Sequence, residues 1–498
     1  MKQILYFFLL ACFPVVSAQG LKTPLQANNY VRPSSYEELS DYLQKLDTSS
    51  GLLTVETAGR SAQGRNIYAM KFSSSVFGKD PSKIKVLLFA QQHGDEQSGK
   101  EGALLLAQEL LKPENQYLFD RIDLLIIPQM NPDGSEVNKR RNGNDADLNR
   151  NHLILTQPET VALHRLFDQY LFEVAMDVHE YSPFGETWRK YGYRDNSDEL
   201  IGTNTNINVS ERLRKLSNES FLPFIKNYLN ERKISNFIYC PGGPPEINYI
   251  RHSTFDINDG RQSLGIQNTL TFIQEGMNGE DSFADNIKHR AESQMGGMRG
   301  LLEYAYQNKK EIMKVVARER KRIILGKPGE FVSVQQEHAR TGEKLDLPLY
   351  SYFSKSDTIV KVTDYRPIVR SLYDVTKPSG YLIPKQLKDV TDWVGRQALK
   401  TEPVSITPQT SIEQYEITAI DSMDFEGDMI VNPAVTLHKI DAKINPDNFI
   451  YVPTSQLKGN LVVFALEPKS ELGLATYQDF AYLLKAGEKY PILRVENK

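Results

Sequence analysis

Between residues 30 and 325, short apolar runs alternate with amphipathic stretches, and this alternation constrains the fold more than any other feature of the chain. The runs at 85–90, 122–127, 173–178 and 269–273 are almost continuously apolar, the pattern of strands buried on both faces. Residues 102–111 and 159–170 instead carry an apolar stripe at helical spacing, and a helix over 35–46 opens on Ser35 with Glu37 and Glu38 in its first turn. Residues 54–58 and 66–72 read as strands around a turn at 59–65, and a long helical stretch at 284–322 closes this part. Helix alternating with buried strand predicts a three-layer α/β/α domain over 24–325 with a mixed, largely parallel sheet.

The texture then changes. Residues 348–362, 416–420, 434–440 and 461–467 are strand-like, with Pro, Gly and Asp between them and one helix near 386–397. The expectation is a β-rich accessory domain over 326–498, with no readable chemistry of its own.

The chain has 498 residues and a formal net charge of -4, and no long basic stripe offers a nucleic-acid surface. Its most basic stretch, around Lys314 and Arg318, has Ile312, Val315, Val316 and Ile323 at helical spacing between the charges, which reads as a solvated helix face. Only the first residues are strongly apolar. Lys2, the apolar run at 4–16 and Val16-Ser17-Ala18 predict a signal peptide over 1–18 and export to a periplasm or the medium. A competing reading takes Leu10-Ala11-Cys12 as a lipoprotein box, with the chain anchored through Cys12. No later run is long enough for a transmembrane segment. Removal of the signal leaves Cys240 alone, so no internal disulfide forms and a packed thiol is expected.

Polar residues gather where the buried runs end. The run at 85–90 leads into Gln91-Gln92-His93-Gly94-Asp95-Glu96, and that at 122–127 into Asn131-Pro132-Asp133-Gly134. The third delivers Asp177-Val178-His179-Glu180, and the last Gln274-Glu275-Gly276. Open α/β sheets bind ligands at the C-terminal ends of their strands. His93 and Glu96, three apart after a strand, can face one point, and imidazole with carboxylate suits zinc. Taken alone the pair is weak evidence.

The ordered set Gly59-Arg60-Ser61, Gly64-Arg65, His93-Gly94, Glu96, Asn131-Pro132-Asp133-Gly134, Asp147-Leu148-Asn149-Arg150-Asn151, His179 and Glu275 resembles the zinc carboxypeptidases of the carboxypeptidase A type, over about residues 30–310. The resemblance implies one Zn2+ per chain on His93, Glu96 and His179, a ligand type known for that enzyme. It implies that Asp147 orients His93, that Asn149 and Arg150 grip a terminal carboxylate, and that Arg140 stabilises an oxyanion, with Arg141 as its rival. Glu275 would be the general base, with Glu280 a distant second, and Tyr249 would close over the substrate. Glu275 stands two residues later after Thr271-Phe272 than in the best-known animal enzymes. Asp256 and Asp259 fall where a side-chain pocket would be lined. The implied activity is removal of C-terminal residues from peptides with a free carboxylate. The alternatives are an amidase acting on cell-wall peptides or acylated amino acids, and a peptide-binding pseudoenzyme. Oligomeric state is left open.

Overall fold

The computed structural model describes residues 20–326, 329–407, 410–441 and 444–497; the expected signal segment, with Cys12, lies outside the described residues. The N-terminal domain contributes ten strands: β1 (Leu53–Arg60), β2 (Asn66–Phe72), β3 (Ile84–Ala90), β4 (Ile122–Ile127), β5 (Val174–Tyr181), β6 (Tyr193–Asp195), β7 (Glu199–Thr203), β8 (Asn236–Ile238), β9 (Ile250–Arg251) and β10 (Leu270–Met277). Eight of them form one mixed sheet in the order β1-β2-β4-β3-β5-β10-β7-β8. Its centre, β4-β3-β5-β10, is parallel throughout. Antiparallel pairings join β1 to β2, β2 to β4 and β10 to β7.

Alternation along β3 sorts the two faces. Val86, Leu88 and Ala90 pack with the helices Tyr36–Asp47, Gln97–Leu110 and Ile287–Leu325. Leu87 and Phe89 point the other way, against the helix Pro158–Tyr170. The fold is therefore the expected α/β/α sandwich. Ser35 caps the first of these helices in a reciprocal pair with Glu38. In the long helix Ile312, Val316 and Ile323 are buried while Lys314, Arg318 and Lys321 are exposed, as a solvated basic face requires. Cys240 is unpaired and half-buried, and burial pushes its thiol well up.

The C-terminal region is β-rich. An antiparallel five-stranded sheet holds Gly380–Pro384, Thr410–Phe425, Asp428–Ile440, Phe449–Pro453 and Leu493–Asn497. The strands expected at 416–420 and 434–440 are parts of one much longer hairpin, whose outer half is exposed and so shows no alternation. The strand expected at 461–467 is instead the helix Gly459–Leu466. All its residues are buried, so it has no polar face, and a short apolar run without period does not distinguish helix from strand.

This region shares a core with the N-terminal domain: Leu153, Ile257 and Ile266 pack with Trp393, Val463 and Phe464. Trp393 donates through its indole N–H to the Leu153 carbonyl at 2.8 Å. Two loops of the N-terminal domain are also extended as strands, β6 against Leu345–Ser351 and β9 alongside Tyr365–Arg366.

Candidate metal centre

His93 and Glu96 follow β3, and His179 lies on β5, the parallel neighbour of β3. All three are buried, and their ligand atoms lie within 4.8 Å of one another. Glu96 sits between the rings, with Oε1 2.6 Å from His93 Nδ1 and Oε2 2.9 Å from His179 Nδ1. The far ring nitrogens are both engaged by carboxylates: His93 Nε2 lies 3.2 Å from Asp147, and His179 Nε2 lies 2.9 Å from Asp177. Each ring thus turns its Nδ1 toward the shared point, held from behind as metal-binding histidines are. Two imidazoles and a carboxylate fit a zinc-type donor set with one position open, so this group could hold a metal ion.

The charges agree with that geometry. Burial opposes protonation of His179, but Asp177 and Glu96 outweigh it and raise its pKa well above the ordinary value. Burial likewise works against the Glu96 charge, yet the two histidines hold its carboxyl far below the usual range. A dication would take the place of the protons that this cluster attracts.

Glu275 is the register partner of His179 across the parallel β5–β10 pair. Residues in register on adjacent strands point to the same face, so its carboxylate is presented on the side of the metal group. Gln274 faces the other way, donating to the Gln294 carbonyl on the long helix. Burial lifts Glu275 to about 7, against the pull of His179 and with a push from Glu96. Glu280 is exposed and lies outside this cluster.

Several motif residues prove to be scaffold. Asp133 accepts from the Ser61 hydroxyl, the Gln63 amide and the Arg65 guanidinium at 2.7–2.9 Å, locking the 59–65 turn to the loop after β4. A Cβ on Gly94 would lie 2.2 Å from the carbonyl carbon of Gly134, so the loop bearing His93 and Glu96 can approach its neighbour only through glycine. Glu180, next to His179, forms a buried bidentate pair with Arg290 and accepts from the amide of Ser98.

The remaining expected residues divide around the donor group. Arg140 lies against the donor group, its guanidinium 3.0 Å from Asp147 and 3.1 Å from His93 Nδ1. Arg141 turns back to the carbonyl of Asp145 in its own loop. Asn149 is buried, and its amide is occupied: its oxygen accepts from Gln92 and from the backbone of Gly260, while its nitrogen lies 3.3 Å from His179 Nε2. Arg150 is half-exposed, and its nearest acid is Asp256 at 3.9 Å. Asp256 is buried, and its Oδ1 accepts no hydrogen bond. Asp259 caps the helix Gly260–Gly265 and pairs with Arg261 at 3.0 Å, a structural use of that acid. Tyr249 is half-buried with the Arg366 guanidinium 3.6 Å from its ring centroid. Of the other histidines, His164, His252 and His338 are buried outside the group, His152 is buried with its Nε2 2.7 Å from the Gln92 side-chain oxygen, and His289 and His438 are exposed beside Asp198 and Glu416.

Sequence reasoning missed Asp177 and Gln92. Asp177 stands two before His179 on one strand, so it shares its face, and Gln92 donates to both Asp177 oxygens at 3.0 and 2.8 Å. The D-x-H spacing was the available signal for Asp177. Gln92, one residue before a ligand, offered none.

A two-histidine, one-glutamate group at the C-terminal edge of a mixed α/β sheet defines a class, that of the α/β metallohydrolases. Within it the family model described as zinc carboxypeptidase matches residues 39–220, inside the N-terminal domain. The chain is accordingly a metallocarboxypeptidase-type hydrolase. Carboxypeptidase 2 of Trichophyton rubrum is 23% identical over 482 residues, covering 93% of this chain and 87% of that protein, so the likeness runs on through the C-terminal region. Carboxypeptidase M of Mus musculus is 29% identical over 187 residues, covering 32% of this chain and 41% of its own. The solved metallo-carboxypeptidase from Burkholderia cenocepacia has 19% identity and a TM-score of 0.44, over 56% of this chain and 71% of its own. Among the described residues no helix is long and apolar enough to cross a membrane.

Proposed function

We propose that this chain is a zinc-dependent carboxypeptidase that removes the terminal residue from peptides with a free C-terminal carboxylate. The observation that carries the reading is the register of Glu275 with His179, which keeps a carboxylate beside the donor group despite the two-residue shift in sequence. His93, Glu96 and His179 hold the zinc, and Asp147 and Asp177 fix the two rings. Zinc bound there would supply a Lewis acid and make water acidic enough to give up a proton near neutral pH. Glu275 takes the proton of the attacking water and returns it to the departing amine. Arg140 donates to the oxygen on which negative charge builds up, and Arg141 does not reach it. Arg150 pairs with the substrate's terminal carboxylate in a fork-to-fork arrangement, which confines cleavage to chain ends. Asn149 braces the wall beside it, and Tyr249 covers the bound end. We read 24–325 as the catalytic domain and 326–498 as an accessory domain, and the chain as exported through its first 18 residues.

The test is zinc analysis combined with mass spectrometry of a peptide library before and after incubation. Loss of single residues from free C-termini, with amidated peptides left intact, is the expected result. Equal cleavage of amidated peptides, or no release from a chain that carries one zinc, sinks the reading.

A further inference from the structure

The long hairpin of the C-terminal region is exposed over its outer half, yet its tip makes specific contacts. Its tip reaches the loop that runs from Tyr249 to Asp256. Phe425 meets Phe255 edge to face, with ring centroids 5.8 Å apart. Glu426 Oε2 lies 2.9 Å from the Arg251 guanidinium, and the two side chains keep only 19% and 13% of their exposure.

The backbone at the tip is unusual. Phe425 and Asp428 pair directly, leaving Glu426 and Gly427 as a two-residue turn with φ of 56° and 98°. Such turns select Asn, Asp or Gly at their first central position, and a glutamate there is held at a cost. The glutamate adds nothing to the turn itself, so its placement is explained by what its carboxylate reaches.

Most charges in this corner are already paired: Asp259 with Arg261 and Glu426 with Arg251, while among the described residues Asp256 has its ion pair with Arg150 at 3.9 Å and a buried oxygen that accepts no hydrogen bond. A substrate carboxylate that engages Arg150 competes with Asp256 for its ion-pair partner. Asp256 is then left with a weaker counter-charge, and buried acids without a partner are costly. Burial, with Asp256 adding repulsion, already lifts Glu426 to about 7.

We propose that the hairpin tip is part of the substrate site: Glu426, with Arg251 and Asp256, walls the pocket for the terminal side chain and selects one that is cationic. This rests on the carboxypeptidase reading for the position of the substrate. The accessory region thereby contributes a specificity residue to a reaction whose chemistry lies in the other domain.

The experiment uses the full zinc-loaded chain and two probes that need no turnover, Nα-acetyl-lysine and Nα-acetyl-leucine, titrated by calorimetry. Release of terminal Lys or Leu from otherwise identical peptides is followed in parallel. Wild type should bind the lysine probe about tenfold more tightly than the leucine probe, the ratio expected for one charge-assisted contact. Glu426→Gln should erase most of that ratio through KM and probe affinity. Glu426→Gly suits the turn conformation, so it should keep the melting temperature while also losing the preference. No lysine preference in wild type, or an unchanged ratio in both variants, overturns the proposal. A retained probe preference in a chain that cleaves nothing overturns the hydrolase reading instead, and supports the pocket.

Discussion

The donor group and the rim of residues beside it are held in place by different means. His93, Glu96, His179 and Glu275 stand on or just beyond neighbouring parallel strands, and the sheet ladder fixes their backbones. Arg150 ends a short 3-10 turn at 148–150, Tyr249 precedes the two-residue strand β9 and Arg251 lies on it, and Tyr249 and Arg251 are held by Arg366 and Glu426 of the C-terminal region. The donor end takes its precision from local hydrogen bonding within one domain. The rim depends on contacts with residues far downstream. Substitutions at the donor end should therefore act on chemistry or metal, and those at the rim on substrate affinity.

The largest effect belongs to Glu275→Gln, for which kcat should fall by about 10³-fold with zinc still near one per chain. Residual activity close to wild type would break the division, because the proton carrier would then lie elsewhere. Asp177→Asn should weaken zinc binding by up to ~100-fold in chelator competition, with KM of the reloaded enzyme little changed. If zinc affinity is unmoved, the contact with His179 has no orienting role. At the rim, Arg150→Lys should raise KM for free-carboxylate peptides about tenfold while kcat and zinc content hold. A fall in kcat alone would move Arg150 to the chemical end. Arg366→Ala should raise KM by only about threefold, the scale of one cation–π contact on Tyr249. An effect as large as that of Arg150 would mean that Arg366 meets the substrate itself.

The same division governs what the sequence discloses. Buried parallel strands are nearly continuous apolar runs, so β3, β4, β5 and β10 are visible, and so are the polar residues that follow them. Asp147, Asp133 and the glycines fall into ordered motifs because the loops at the strand ends must interlock. Asp177 is hidden in an apolar strand as one acid among valines and methionine, although its spacing from His179 marks it. The occupied amide of Asn149 is a matter of rotamer and neighbours, which spacing does not carry. Glu426 is beyond reach altogether: in sequence it is a turn acid, and only the tertiary path of the hairpin brings it to Arg251. The buried helix Gly459–Leu466 fails for a related reason, since burial on every side leaves no period to read.

The pairing of β6 and β9 with strands of the C-terminal region has an evolutionary corollary. Replacement of the residues downstream of the long helix would redraw the contacts of β6 and β9 in a single event without changing any residue of the donor group. In such an architecture the surroundings of the site can vary while its metal-ligating side chains stay the same.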